Sequence, residues 1–388
     1  MNAITLLINV SYGAFFALAM LLSVKPQFFW GNKQLVLSGQ TISAKTAYLP
    51  FLFVAFISFI IFTVFRDSCV GADYPTYVLH FDQAMGLGLI DYLQLQMVLG
   101  MEPLYSLVSY ITHFLFNDFL TFLFVIYLVV FLTQIKLFSK TKGFILPLTA
   151  YLLLYFILIP HSFNIVRTCL AAFIAIWGFI YLDEKKFLPA FLVFLSATLV
   201  HLTAIFCFAV WAMCLICNRK GFKLKRLLLL TFLGASALIV LVPFLHDIVL
   251  AMNPRYHYHL AEGGGTSVRT MAFYFVVLAT AVVYSKKLIE HNPFNRIMII
   301  VLACSFFIFP LQYLTGLIAR MLVFCQIALF FLVYELFSVV KITKRNLLPT
   351  TFILAIIALL SLAWFYTQIT AVARDYGITN YTNMLFNL

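Results

Sequence analysis

Residues 317–340 read LIARMLVFCQIALFFLVYELFSVV, and the only charged residues in this stretch are Arg320 and Glu335. A run of about 20 mostly apolar residues is long enough for a helix to cross the hydrocarbon core of a bilayer. Similar runs recur along the chain, which is 64% hydrophobic and 10% charged with a mean hydropathy of +1.06. These values exclude an ordinary soluble domain and predict an all-α, polytopic integral membrane protein.

Basic residues concentrate in alternate loops, which gives the chain an orientation by the positive-inside rule. Residues 219–226, 286–287 and 341–345 are predicted to be cytoplasmic, so residues 248–267 form an outer loop. The N-terminal third leaves two alternatives. We favour about 12 spans with both termini outside, and the alternative is about 13 with the N-terminus inside. In the favoured topology residues 66–117 form an outer loop with re-entrant or surface-lying helices.

A single polytopic membrane domain is expected to occupy residues 1–388, because no stretch between the expected spans is long enough for a soluble domain. The sequence contains neither a P-loop nor a GxGxxG after a strand, which excludes kinases, ATPases and transferases that use nucleotide sugars directly. The net charge of +12 resides in short loops, where it indicates topology and lipid contacts rather than nucleic-acid binding. The seven cysteines fall mostly in apolar helices and imply no disulfide framework.

Arginine and lysine are distributed differently across the predicted membrane. Every lysine can be placed on the cytoplasmic side, whereas the basic residues of the outer side are all arginines. A guanidinium binds phosphate through a planar, bidentate pair of hydrogen bonds that an ammonium group cannot form. We therefore expect a site for a diphosphate headgroup at the outer leaflet. The six outer arginines are Arg66, Arg167, Arg255, Arg269, Arg320 and Arg374.

Two acidic residues of the outer segment are candidate site residues. Asp73 and Tyr74 follow Arg66 closely, so Arg66 would contact phosphate while Asp73 accepts a proton or orients a sugar hydroxyl. The alternative is an interfacial arginine and aspartate that satisfy each other at a helix end. Glu102 precedes Pro103 at the expected start of a helix, where capping is sufficient to explain it and a catalytic role is the alternative.

Three further residues are expected near the outer ends of spans. Arg167 and Arg320 would each place a charge at membrane depth, which costs about 2.5–3.5 kcal/mol and usually marks function, although snorkelling to the interface is the alternative. His201 lies at the apex of an apolar hairpin, where a neutral imidazole takes up a proton or simply packs. Arg255 and Arg269 are expected to be secondary contacts to the substrate. No metal site is predicted, because the histidines near Arg255 have no third convergent ligand.

The order of these motifs resembles the EpsG-like, or Wzy-type, polysaccharide polymerases of bacterial envelopes. The similarity covers roughly residues 60–330, and the chain departs from the family pattern at Ala72, where Thr is more usual, and at Thr168, where Gln is frequent. The residues that carry the resemblance are Arg66, Gly71, Asp73, Tyr74, Tyr77, Glu102, Pro103, Tyr105, Asn164, Arg167, Ala171, His201, Arg320 and Met321.

The resemblance implies a fold similar to the C-type lipid-dependent glycosyltransferases, which include O-antigen ligases. It also implies an enzyme on the outer side of the bacterial cytoplasmic membrane that transfers a glycan from polyprenyl diphosphate, such as undecaprenyl diphosphate, to a lipid-linked repeat unit. His201 is the first candidate base and Asp73 the reserve. Arg66, Arg167 and Arg320 are the expected diphosphate ligands, and Tyr74 and Glu102 complete the substrate contacts.

The expected reaction needs no metal or other cofactor, since arginines can neutralise the departing charge. The expected partners are the lipid-linked oligosaccharide, membrane lipids, a chain-length regulator and a flippase, with no nucleic acid. Three alternatives remain for the function. They are glycosyl transfer like that of an O-antigen ligase, movement of lipid-linked sugar by a flippase or transporter, and membrane O-acyl transfer.

Overall fold

The protein divides into two compact units. The first comprises Met1–Ile176, Leu199–His201 and Thr367–Leu388, and the second comprises Trp177–Thr198 and Leu202–Tyr366. The single domain expected for residues 1–388 stays a prediction. The computed structural model describes residues 35–37, 40–42, 49–66, 68, 70–71, 73–141, 159, 161–217, 224–252, 268–312, 316–340 and 355–360.

The described part of the first unit consists of a short hairpin followed by helices. Its strands are antiparallel, with Leu35 opposite Ile42. Helix α5 packs against α1 and α4, and α4 also packs against α2 and α3. The elements are β1 (Leu35–Leu37), β2 (Gln40–Ile42), α1 (Leu49–Thr63), α2 (Tyr74–Asp82), α3 (Leu89–Val98), α4 (Pro103–Phe116), α5 (Phe119–Ser139) and α6 (Val166–Asp183), of which α6 continues into the second unit.

Local sequence explains where α4 and α5 begin and end. Pro103 is at the start of α4, where its fixed φ suits a helix and its missing N–H is not needed. Asn117 ends α4 in the left-handed conformation, with φ 47°. The Asp118 side chain then accepts hydrogen bonds from the backbone N–H groups of Leu120 (3.3 Å) and Thr121 (2.9 Å), so it caps α5. These signals fix the turn between the two helices.

In the second unit α12 packs against α8, α9, α10 and α14, and most of its residues are buried. His201, which belongs to the first unit, lies directly between α7 and the next helical turn, as expected for a residue at a hairpin apex. The elements that follow α6 are α7 (Phe187–Val200), a 3-10 turn (Leu202–Ile205), α8 (Phe206–Cys217), α9 (Leu224–Met252), α10 (Val268–Val283), α11 (Ser285–His291), α12 (Asn295–Leu311), α13 (Gly316–Ala319) and α14 (Leu322–Val339).

A buried carboxylate joins three of these helical segments. Glu335 of α14 is fully buried, and its oxygens accept hydrogen bonds from the side-chain amides of Asn292 (3.1 Å) and Asn295 (3.0 Å). The Asn295 amide also donates to the carbonyl of Leu288 in α11, at 2.8 Å. A buried charge is tolerated only when it is hydrogen-bonded in this way. The cluster therefore fixes the connection between α11 and α12 against α14.

Three helices within the described residues are long and apolar enough to cross a membrane, namely α5, α6 and α14. Helices α10 and α11 pass the same test together but are bent by 77°, as in a broken span or a re-entrant loop. Helices α2, α3 and α4, which lie in the predicted outer segment 66–117, are not among these candidate spans. Apart from the hairpin, the described elements are helical, so the chain is an all-α membrane protein. Residues 253–267 of the predicted outer loop lie outside the described residues.

Candidate active site

The loop that follows α1 is organised around Arg66, which is fully buried. Its guanidinium carbon lies 5.3, 5.5 and 4.7 Å from the ring centroids of Tyr74, Tyr127 and Phe163. Nη1 donates to the carbonyl of Thr63 and to the Tyr127 hydroxyl (3.3 Å). Aromatic faces attract a guanidinium, and the hydrogen bonds satisfy part of its donor capacity. Arg66 therefore holds the loop against α5 and the segment before α6.

Gly71 is required where this loop meets Phe163. It has φ 104°, a conformation that residues with a side chain rarely adopt. A Cβ at this position would clash with the carbonyl oxygen of Phe163. The loop thus approaches the segment before α6 backbone to backbone.

Asn164 fixes the start of α2 to the chain that leads into α6. The backbone N–H of Asp73 donates to Oδ1 of Asn164 at 2.9 Å, and the Tyr77 hydroxyl donates to the carbonyl of Asn164 at 3.1 Å. Arg167 lies one helical turn beyond Asn164, near the N-terminus of α6. The position of Arg167 is therefore tied to that of α2.

Glu102 connects the two strongest site candidates. It is extended at the boundary of α4, and its side chain makes no capping hydrogen bond. Instead its Oε2 accepts a hydrogen bond from Nη1 of Arg167, while its Oε1 lies 2.5 Å from Nδ1 of His201. The structure thus brings Arg167 and His201 to the two oxygens of one carboxylate.

These three side chains are sheltered to different degrees. The exposed fraction of the side chain is 17% for Arg167, 15% for Glu102 and 4% for His201. A ring proton on Nδ1 that is donated to Glu102 leaves the basic lone pair of His201 on Nε2. The carboxylate also stabilises the imidazolium that forms when Nε2 takes up a proton. The pair has the arrangement of a general base and the group that orients it.

Arg167 is held by more than its ion pair. Its Nη1 also donates to the carbonyl of Gly100 at 3.3 Å, and its guanidinium carbon lies 5.9 Å from the ring centroid of Tyr105. A guanidinium has five N–H donors, so these contacts leave others for an anionic ligand. Arg167 is therefore a positioned cation with part of its surface accessible.

Apart from Glu102, side chains near this cation are kept neutral. Burial, together with the nearby Tyr77, raises the pKa of Tyr105 well above its ordinary value, so its hydroxyl stays protonated. Burial lowers the pKa of His80, and the positive charge of Arg167 lowers it further, so the neutral imidazole is favoured. Within the described residues, no three His, Cys, Asp or Glu side chains converge as metal ligands.

Comparison with known protein families identifies the chain. A model of the EpsG family matches residues 49–383, which include every residue of the site. The chain belongs to the EpsG family. EpsG-like proteins are Wzy-type polysaccharide polymerases, so membership indicates a glycosyltransferase-like polymerase role in polysaccharide biosynthesis. No curated protein and no solved structure matches the chain.

The other arginines predicted for the site are placed differently in this EpsG-family chain. Arg320 is half-buried in the turn between α13 and α14, and α14 begins at Leu322. The apolar stretch read as residues 317–340 becomes helical in α14 only from Leu322, so Arg320 lies in the turn directly before the helix rather than inside it. Arg269 is exposed in the first turn of α10, next to Val268, which lines an apolar cavity of about 610 Å³ between α9, α10 and α12. Arg255 lies outside the described residues.

Arg66, Tyr74 and Asp73 were predicted as substrate or catalytic residues, and these roles stay predictions. The side chains of Arg66 and Tyr74 are buried against each other, and their contacts are those of residues that anchor a loop. Asp73 is half-buried, and its side chain does not cap α2.

The main feature that sequence reasoning missed is the connecting role of Glu102. An acid before a proline at a helix start looks like a cap, and the sequence offers no local reason to look further. The one available signal was the family motif, in which Glu102, Arg167 and His201 occur together.

Proposed function

We propose that this EpsG-family chain polymerises lipid-linked repeat units. It would transfer a growing glycan from a polyprenyl diphosphate carrier, such as undecaprenyl diphosphate, to a hydroxyl of another lipid-linked repeat. The observation that supports this best is the Glu102 carboxylate, which contacts both His201 and Arg167. Glycosyl transfer from a diphosphate needs a base for the attacking hydroxyl and a cation for the leaving group. The candidate site holds one of each, side by side.

In the proposed reaction His201 acts on the acceptor. Nε2 takes the proton from the sugar hydroxyl. Nδ1 keeps its own proton and donates a hydrogen bond to Glu102. The hydroxyl oxygen bonds to the anomeric carbon of the donor sugar as the bond from that carbon to the diphosphate oxygen breaks. The imidazolium formed on His201 is stabilised by the Glu102 carboxylate.

Arg167 acts on the leaving group. The bond that breaks leaves its electron pair on the diphosphate, and the guanidinium of Arg167 neutralises the charge that develops there. Tyr105 and the Gly100 carbonyl keep the guanidinium in place. Because this cation supplies the charge that a metal supplies elsewhere, we propose that the reaction uses no metal and no other cofactor.

Further residues would extend the site beyond this cluster. Arg255, Arg269 and Arg320 are proposed as additional contacts to the diphosphate or the sugars, since a lipid-linked substrate carries several anionic and hydroxyl groups. Asp73 is the reserve candidate for the base.

The proposed setting is the cytoplasmic membrane of a bacterium, with the site facing outward. About 12 spans, with both termini outside, agree with the distribution of lysine and arginine, and the arrangement would be similar to that of C-type lipid-dependent glycosyltransferases. The proposed partners are the lipid-linked oligosaccharide and membrane lipids, together with a flippase and a chain-length regulator, and do not include nucleic acid.

Reconstitution tests the proposed function. The purified chain is placed in liposomes, and lipid-linked repeat units are presented on the side that corresponds to the outer face. Formation of glycan of more than one repeat supports the polymerase. Movement of the lipid across the bilayer without glycan growth would replace it with a flippase or transporter. Transfer restricted to an acceptor other than the repeat unit would replace it with a ligase-like enzyme.

The role of Arg167 is tested in the same system with Arg167→Lys, which keeps the charge but loses the planar fork. A loss of about 2 kcal/mol in transition-state stabilisation would lower kcat/KM roughly 30-fold. Single-repeat glycolipid should then accumulate. Arg226→Lys is the matched control, because Arg226 is exposed on α9, and it should keep the wild-type rate. Polymer of full length from Arg167→Lys at the wild-type rate would overturn the assignment.

A further inference from the structure

A small cavity in the second unit has a charged lining. Its volume is about 150 Å³, and it lies between the end of α6 and helices α8, α11 and α12. The charged residues of the lining are Lys185, Arg296 and Asp183, and the apolar ones include Ile289, Pro293 and Phe187. Two cations against one carboxylate leave the cavity with an excess of positive charge.

Arg296 is fixed in position at this cavity. Its Nη2 donates to the carbonyl of Cys217, the last residue of α8. Arg296 also lies in the first turn of α12, where the helix dipole is positive. The hydrogen bond to the Cys217 carbonyl uses one donor of the guanidinium and leaves others for a ligand. The cavity thus contains a guanidinium that is already oriented.

Lys185 is the second cation of the cavity lining, and its backbone has an unfavourable conformation. It has φ 58°, and the N–H groups of Lys185 and Lys186 donate to the carbonyls of Leu182 (3.0 Å) and Tyr181 (2.8 Å). This is the Schellman pattern at a helix end, in which the left-handed position is usually glycine. A lysine that keeps a strained position while lining a charged cavity suggests a functional reason for its side chain.

The neighbouring Lys186 has a different environment. Its Nζ donates to Oε2 of Glu184 at 2.9 Å, which raises the pKa of Lys186, and it does not line the cavity. Its charge is offset by Glu184. Lys186 therefore provides a matched control for Lys185.

We propose that this cavity binds the phosphate group of an anionic phospholipid from the cytoplasmic leaflet. A guanidinium and an ammonium group beside apolar walls suit a phosphodiester that continues into a lipid, and basic pockets between helices bind such headgroups on the cytoplasmic side. The Asp183 carboxylate is an acceptor in the same lining, so a headgroup that combines phosphate with hydroxyls, such as phosphoglycerol, matches both signs of charge. The inference rests on the proposed orientation of the chain and not on the polymerase chemistry.

Thermal unfolding of the purified full-length protein in detergent tests the proposal. Added phosphatidylglycerol should raise Tm, whereas phosphatidylcholine at the same concentration should not. Inorganic phosphate should give a smaller shift, because it lacks the apolar part that contacts the cavity walls. A shift with inorganic phosphate as large as that with phosphatidylglycerol would overturn the lipid assignment. Equal shifts with the two lipids would overturn the requirement for negative charge.

The Lys185→Gly variant separates the effect of the side-chain charge from that of the backbone conformation. Glycine suits the left-handed position, so Tm without lipid should stay the same or rise, while the shift produced by phosphatidylglycerol should be largely lost. Lys186→Gln should keep the full shift. A full shift in Lys185→Gly would contradict the proposal. Because Tm is measured without glycan substrate, this result is independent of whether the chain proves to be a polymerase.

Discussion

The Nδ1 atom of His201 lies 2.5 Å from Oε1 of Glu102, although 99 positions separate the two residues. The other oxygen of the same carboxylate accepts a hydrogen bond from Arg167, which is 65 positions away. One carboxylate therefore orients an imidazole and positions a guanidinium. Its negative charge would stabilise the imidazolium form of His201 and pairs with the guanidinium of Arg167.

Glu102→Gln tests this double role. The amide keeps the shape of the side chain but has no charge to stabilise an imidazolium or to pair with Arg167. We expect the initial rate of polymer formation in liposomes to fall about 100-fold or more, the range of general base catalysis. Glu290→Gln, on the exposed surface of α11, should leave the rate unchanged. A wild-type rate in Glu102→Gln would remove Glu102 from the mechanism.

Arg66→Lys distinguishes anchoring from substrate binding. A lysine cannot reproduce the contacts of Arg66 with the Thr63 carbonyl, the Tyr127 hydroxyl and the three rings, so we expect a loss of about 2–4 kcal/mol of stability. The measurement is thermal unfolding beside the KM for the lipid-linked donor. A raised KM with an unchanged Tm would instead support the diphosphate contact predicted from the sequence.

Gly71→Ala should destabilise the protein through the loop that Arg66 anchors. The variant combines an unfavourable positive φ with a clash against the Phe163 carbonyl, for a total cost of about 2–4 kcal/mol. Gly86 also has a positive φ, 77°, but a Cβ there would meet no heavy atom of the described residues within 4 Å. Gly86→Ala should therefore cost only about 1 kcal/mol. Equal shifts in Tm for the two variants would show that the contact with Phe163 is unimportant.

The sequence predicted the helical, membrane-spanning character of the chain because that information is local. An apolar run is visible in residues 322–339, and the turn at His201 follows from two short apolar segments joined by polar residues. The start of α14 at Leu322 was not predicted, because an apolar pattern alone does not show on which side of an interfacial charge the helix begins.

Contacts between segments that are distant along the chain could not be predicted from the sequence. The ring cage around Arg66 uses Tyr127 and Phe163, which are far from it along the chain. The role of Glu102 depends in the same way on Arg167 and His201. Residue type and spacing identified Arg167 and His201 as candidates, but only the fold shows that they share one carboxylate.

The lowered pKa of His80 predicts how the stability of the protein depends on pH. Burial first, and then the charge of Arg167, lower its pKa below the ordinary value of 6.5 in the folded state. The unfolded chain therefore binds the proton more readily, so this contribution to stability is present above about pH 6.5 and is lost as the pH falls towards the lower folded pKa. Tm measured against pH should fall less steeply in this range for His80→Gln than for the wild type. Identical slopes would show that His80 is not held in the neutral form.

The rate of polymer formation by His201→Ala in liposomes tests the central claim most directly. Removal of a general base should lower the rate about 100-fold to 10,000-fold. Donor binding should persist, because Arg167 and Glu102 remain paired, and a Tm close to that of the wild type would show that the fold is intact. The account predicts this loss of rate with retained donor binding. A His201→Ala protein that extends the glycan at the wild-type rate would contradict it.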